Sequence, residues 1–318
     1  MPSGEMTAWM GDHSSQIGDK SICELSLVGS HNSGSYSIST DFGIGKFSPV
    51  PRFLGFFFVR WSKCQSVDLY SQLLLGVRYI DLRVCRSHID DKLRTEHTVY
   101  GELLESLFAQ IKRFVDEHPT ELVVLFAHKF RSGFRDLTRH TDVLAMLKSS
   151  FPDFGEILTR DEEFHLPFSE LKKRGRKIML FYGNENVVRV CKETPMLSPE
   201  ALQHDPWFNQ QDKKGLDDAL KTNKPFLDSS KGKLIVCQAI LSPKPLLTVI
   251  GGIFGILRFL LCGIITFSFY PQNLLMLAKS ANELSAELVA GGTRMNVLLV
   301  DDVASCEALV KAVVKSNL

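Results

Sequence analysis

Two histidines, His31 and His97, an aspartate and arginine two residues apart, Asp81 and Arg83, and a late aspartate, Asp301, each end or interrupt an otherwise apolar stretch. Asp81 and Arg83 lie in Arg78-Tyr-Ile-Asp-Leu-Arg-Val, where a period of two points both to the same side of a strand. Charged groups in such a strand are costly to bury without a partner or a purpose. Two imidazoles and a guanidinium suit phosphodiester cleavage. One histidine removes the proton of the nucleophile, the other protonates the leaving oxygen, and the arginine neutralises charge on the non-bridging oxygens. Histidines with paired acids could instead hold a divalent ion, but Arg83 would set a fixed positive charge where that ion would sit. Each residue also has a plainer reading: a lone histidine at a strand end as a hydrogen-bonded structural residue, and an arginine beside an aspartate as an internal ion pair.

The elements that must position these residues alternate along the chain. Near-continuous apolar runs predict strands over 25–28, 77–84, 93–98, 122–130, 178–182, 234–240 and 297–300. Helical patterns fall between them at 103–117, 136–149, 213–221, 273–290 and 304–315. Repeated strand, helix, strand implies an α/β fold with a parallel sheet, closed or wound with helices outside, in which function gathers at the C-terminal strand ends. The first strand runs out into His31 and Asn32, the third into Glu96 and His97, the fourth into His128 and Lys129, the fifth into Tyr182 and the last into Asp301 and Asp302. No linker divides the chain, so one domain over 21–318 after a tail of 1–20 is expected.

Composition narrows the class. Of 318 residues 44% are hydrophobic, and 37 basic against 36 acidic side chains leave a net charge of +1. That is ample for a core and gives no global field toward nucleic acid. Seven cysteines are scattered without metal-ligand spacing, and the first twenty residues lack a secretory pattern. Both suggest a reduced, cytoplasmic chain.

The segments Leu25-Ser-Leu-Val-Gly-Ser-His-Asn-Ser, Gly76-Val-Arg-Tyr-Ile-Asp-Leu-Arg, Glu96-His-Thr-Val-Tyr and Asn296-Val-Leu-Leu-Val-Asp resemble the X domain of phosphatidylinositol-specific phospholipase C (PI-PLC), in particular the X-domain-only proteins and their bacterial relatives. Weaker agreement occurs at Asp205-Pro-Trp-Phe-Asn and Leu241-Ser-Pro-Lys. The resemblance is collinear from about Trp9 to the C-terminus. It implies a distorted TIM-type (β/α) barrel with His31 as general base, His97 as general acid, Arg83 on the phosphate, Asp81 supporting His97 and Asp301 orienting His31. Asn32, Lys129 and Tyr182 become candidates for substrate contact. The calcium-dependent members carry an acidic ligand where Arg83 stands, so the resemblance is to the metal-independent arrangement, with no cofactor and calcium not expected. Asn32 departs from it, since the bacterial type has aspartate there. The implied reaction is attack of the inositol 2-hydroxyl on its own phosphodiester, releasing diacylglycerol and inositol 1,2-cyclic phosphate, which water then opens.

A lipase must reach a membrane, and two apolar insertions, 53–61 and 246–270, leave C-terminal strand ends. They are read as interfacial rim segments on a peripherally membrane-associated protein. Core packing is one alternative. A transmembrane span at 246–270 is another, opposed by Arg258 within it and by the need to bring Asp301 back to His31. Rival functions are a glycerophosphodiesterase-type enzyme, poorly served by Asn32 and Arg83, and a catalytically weak lipid-binding adaptor on the same barrel. Chelator treatment separates the first of these, and measured turnover the second.

Overall fold

A computed structural model describes residues 6–45, 55–131, 134, 137–157, 161–222, 232–244 and 273–318, with the side chains of 55–57 left out. Among the described residues there are nine strands: β1 Leu27–Ser30, β2 Tyr79–Arg86, β3 Leu93–His97, β4 Val99–Leu103, β5 Val123–Arg131, β6 Ile178–Tyr182, β7 Gln203–His204, β8 Leu234–Gln238 and β9 Val297–Val300. Their order is β7-β8-β9-β1-β2-β5-β6, every pair parallel, while the far half of β2 turns aside to carry the antiparallel hairpin β3-β4. The parallel strands are buried along most of their length, as their apolar sequences require. Among the described residues no strand pair joins β6 to β7. The architecture is therefore a mixed α/β sheet with helices packed on it.

All seven expected strands are present. The first begins two residues later than its apolar run suggests, because Ser21 and Glu24 form a reciprocal capping box around a short 3-10 turn, Ile22–Glu24, that Leu25 closes. β4 and β7 escaped sequence reading, the first because it carries Gly101 and Glu102, the second because it is two residues long.

The segment expected as a tail packs against the domain from Trp9 onward. Trp9, Met10 and Ile17 are buried, and the Trp9 Nε1–H donates to the Gly76 carbonyl at 3.2 Å. The anchor is a buried ion pair at the N-terminal ends of the strands. Arg78 donates through Nε to Glu121 at 2.9 Å and caps the carbonyls of Leu73, Val77 and Thr7, while Glu121 accepts the backbone N–H of Met10 and Gly11. Five backbone groups thus saturate a charge pair that would otherwise be expensive to bury.

Of the apolar insertions, 246–270 lies outside the described residues. Part of 53–61 forms a helix, α1 Gly55–Ser62, ending beside the strand exits. Among the described residues no helix is long and apolar enough to cross a membrane.

Candidate active site

Strand register assembles the site. β1 and β9 pair from Leu27 with Val297 to Ser30 with Val300, so the next residues out, His31 and Asp301, emerge side by side. Gln65 fixes that exit: its Nε2 donates to the carbonyls of His31 and Val300, both at 3.0 Å, and its Oε1 accepts the Val303 N–H. β2 pairs with β5 so that Arg83 stands opposite His128, two residues beyond Asp81. His97 ends β3 at a one-residue corner to β4.

The backbone at these exits is held in an unusual conformation. Asn32, Thr98, Lys129 and Asp302 all have positive φ, between 45° and 70°. Asparagine and aspartate tolerate the left-handed region, but a β-branched threonine and a lysine seldom enter it, which marks strain stored where strands deliver site residues.

The side chains form a continuous line. His31 Nδ1 lies 2.7 Å from Asp301 Oδ1, and Arg83 Nη2 lies 2.6 Å from His31 Nε2. A carboxylate only accepts and a guanidinium only donates, so His31 is the tautomer with its proton on Nδ1 and its lone pair on Nε2. The His97 ring faces it edge-on with centroids 6.1 Å apart. His97 Nδ1 donates to the Ser62 carbonyl at 2.8 Å, leaving its other nitrogen as an acceptor. Burial, followed by the positive charges of Arg83 and His31, pushes the His97 pKa well below the usual imidazole range. The Arg83 Nε–H is buried without a hydrogen-bond acceptor among the described residues. His31, Arg83, His97 and Asp301 line a cleft of about 390 Å³ together with Lys129, Arg131 and the exposed Trp207.

Three assignments need correction. Asp81 does not support His97: its carboxylate accepts from His128 Nε2 and from the Asn32 N–H at 2.8 Å, with Arg83 Nε at 4.0 Å. Burial opposes its ionisation, but the charge and hydrogen bond of His128, then Arg83, hold Asp81 far below the ordinary carboxylate range. Tyr182 does not reach the cleft, because its buried hydroxyl pairs with His140 Nδ1 at 2.7 Å behind β5 and β6. Asn32 is fully buried rather than on the cleft wall, and neither polar atom of its side chain has a partner among the described residues. Lys129 stands at the cleft mouth as expected.

Sequence reading missed three contributors. Asp205 packs behind the cleft against Gln238 at 2.5 Å, its pKa raised by burial and by Asp81 despite the Gln238 hydrogen bond. Gln65 and the thiol of Cys64, 3.5 Å from His97 Nδ1, come from the connection after α1. The only signal for any of them was the Asp-Pro-Trp motif at 205. The donor set does not fit a hard ion such as calcium: Asp81 is already engaged by His128, and the guanidinium of Arg83 stands beside it.

No protein-family model matches the chain. In solved structures, the phosphatidylinositol-specific phospholipase C from Listeria monocytogenes superposes with a TM-score of 0.63 at 14% identity, covering 96% of this chain and 98% of its own. The enzyme from S. aureus gives 0.65 at 16%, covering 98% and 99%. The fold is therefore the mixed α/β fold of bacterial PI-PLC. In sequence, PI-PLC X domain-containing protein 3 of Danio rerio is 27% identical over 267 residues, 79% of this chain and 78% of the relative. A PI-PLC X-box domain-containing protein of Dictyostelium discoideum is 32% identical over 121 residues, 38% of this chain but only 16% of that longer protein. In sequence the chain is thus similar to PI-PLC X domain-containing proteins over about four fifths of its length.

Proposed function

We propose that the chain is a phosphoric diester hydrolase that cleaves phosphatidylinositol at a membrane surface, on a distorted (β/α) barrel, with His31 as general base and His97 as general acid. The observation that carries this reading is the line Asp301, His31, Arg83 facing His97 across a cleft. Asp301 fixes the His31 proton on Nδ1, so Nε2 is free to take the proton of the hydroxyl neighbouring the phosphodiester. Arg83 now donates into that lone pair. An incoming phosphate draws the guanidinium onto its oxygens, where the unpartnered Nε–H adds a second donor, and thereby uncovers the base.

As the oxygen–phosphorus bond of the ring forms, the bond to the diacylglycerol oxygen breaks, and His97 supplies that oxygen with a proton. His97 must first be protonated, which burial and Arg83 oppose; the negative phosphate offsets both. Water then opens the cyclic phosphate with the histidines exchanging roles. Lys129, which lines the cleft, is proposed to meet the inositol hydroxyls.

The membrane-facing reading has support of its own. Pro243 and Leu274, on either side of 245–272, both line the cleft. That favours a peripheral, cytoplasmic enzyme over a chain crossing the bilayer once.

The test is purified protein against phosphatidylinositol vesicles in EDTA, with phosphorus NMR following the cyclic phosphate. Cyclic product in EDTA is the expected result. Dependence on calcium, or no product from phosphatidylinositol while other glycerophosphodiesters are cleaved, would overturn it.

A further inference from the structure

Cys64 takes no part in the reaction proposed above, yet its thiol lies among the groups that perform it. It is fully buried two residues after α1, and its Sγ lies 3.5 Å from His97 Nδ1. Its sulfur, a ring nitrogen of His31 and a carboxylate oxygen of Asp301 lie within 4.8 Å of one another. Around a tetrahedral zinc ion with bonds of about 2.0–2.3 Å, ligand atoms stand roughly 3.3–3.8 Å apart. Closing the cluster onto a metal therefore takes side-chain shifts of about an ångström and no change of fold.

We propose that Cys64, His31 and Asp301 form a binding site for a thiophilic divalent cation, Zn²⁺ foremost, which silences His31. One sulfur, imidazole nitrogen and one carboxylate oxygen make a set that zinc prefers and that calcium or magnesium does not. Charge is compatible as well. A thiolate and a carboxylate together cancel Zn²⁺, so Arg83 beside His31 meets no added positive charge. Binding expels the thiol proton to solvent; if the metal takes Nδ1 of His31, the imidazole proton moves to Nε2 and the ring stays neutral. Entry is from the cleft, which His31, His97 and Asp301 line, with Cys64 as the buried fourth side.

Inhibition rests on the role proposed for His31 and follows from either of its nitrogens. A metal on Nε2 consumes the lone pair that would take the substrate proton, and a metal on Nδ1 breaks the bond to Asp301. The site is distinct from a calcium requirement, because a soft ion would shut the reaction down rather than support it.

The experiment uses the full chain in a background of Cys23→Ser, Cys191→Ser and Cys262→Ser, which leaves Cys64 with the buried Cys85, Cys237 and Cys306. Co²⁺ is added as a spectroscopic probe and Zn²⁺ is titrated against a chromophoric chelator. Expected are one Co²⁺ per chain with a thiolate charge-transfer band, displaced by Zn²⁺, and loss of that band in Cys64→Ser with Zn²⁺ affinity lower by at least about tenfold, the least that even an outer-sphere partner is worth. The ratio of cleavage rates with and without Zn²⁺ should fall in the background protein and stay near one in Cys64→Ser. Absence of the thiolate band, or equal Zn²⁺ affinity with and without Cys64, would overturn the proposal. If Cys64→Ser does not fold, Cys64→Ala supplies the same comparison, and absence of the band from the background protein overturns the proposal by itself. Metal binding without any phosphatidylinositol cleavage would sink the enzymatic reading alone; cleavage without metal binding would sink this one alone.

Discussion

At the scale of single residues, the two histidines should separate by role. His31→Ala and His97→Ala are each expected to reduce phosphatidylinositol turnover by at least about a hundredfold with little change in melting temperature. A substrate with a more acidic leaving group should restore much of the rate to His97→Ala and none to His31→Ala; equal rescue would remove the acid and base assignment. In the proposed reaction Arg83 acts on both phosphate and His97. Arg83→Gln should lower turnover by roughly a hundred- to a thousandfold, the usual cost of one oxyanion donor, and should raise the His97 titration midpoint in NMR, because one of the positive charges that depress it is gone. The chemistry of His31, His97, Arg83 and Asp301 was legible in the sequence because each sits at the end of, or within, an apolar strand. The partner of Asp81 was not, because it depends on which strand lies beside β2. The resemblance implied His97, at the β3 exit, whereas the sheet places β5 and His128 there.

At the scale of elements, the strands were readable from their apolar runs, and the site followed from their parallel register. What escaped was short or polar: β4, β7 and the connection carrying Cys64 and Gln65, whose roles exist only through contacts made across the chain. The N-terminal segment is the clearest case, since nothing in residues 6–20 announces that Glu121 will receive the backbone N–H groups of Met10 and Gly11. Breaking that anchor on one side leaves Arg78 buried without its counter-ion, a loss typically of about 3–5 kcal/mol. Glu121→Ala should therefore unfold at lower urea by a corresponding amount, and exposed Trp9 should become quenchable in the variant. Because the pair lies at the opposite strand ends from His31, kcat at a temperature where the variant is folded should be near wild type. A kcat loss comparable to that of His31→Ala would show that the two ends of the sheet are coupled.

At the scale of the whole molecule, pH and, in the proposed reading, the membrane act on the same cleft. His97 has a folded pKa below its unfolded value of about 6.5, so below that value the unfolded chain takes up a proton that the folded chain refuses. Stability therefore falls as pH drops through this range, until the folded value is passed. His97→Gln should flatten that part of the melting temperature against pH; an unchanged slope would place the acid sensitivity elsewhere. The membrane term is tested by surface rather than charge. If 246–270 rests in the lipid interface, Phe254→Ser with Leu257→Ser should weaken vesicle binding by roughly 1.5–3 kcal/mol for each side chain that was fully buried in lipid. Cleavage of a short-chain, monomeric substrate should persist, because His31, Arg83 and His97 are held by strands and by Gln65, none of which belongs to the segment. Loss of both activities together with a lowered melting temperature would instead make the segment part of the core. Extraction by detergent but not by alkaline carbonate would make it a membrane anchor, and a chain crossing only once would then have to explain how Pro243 and Leu274 come to line one cleft.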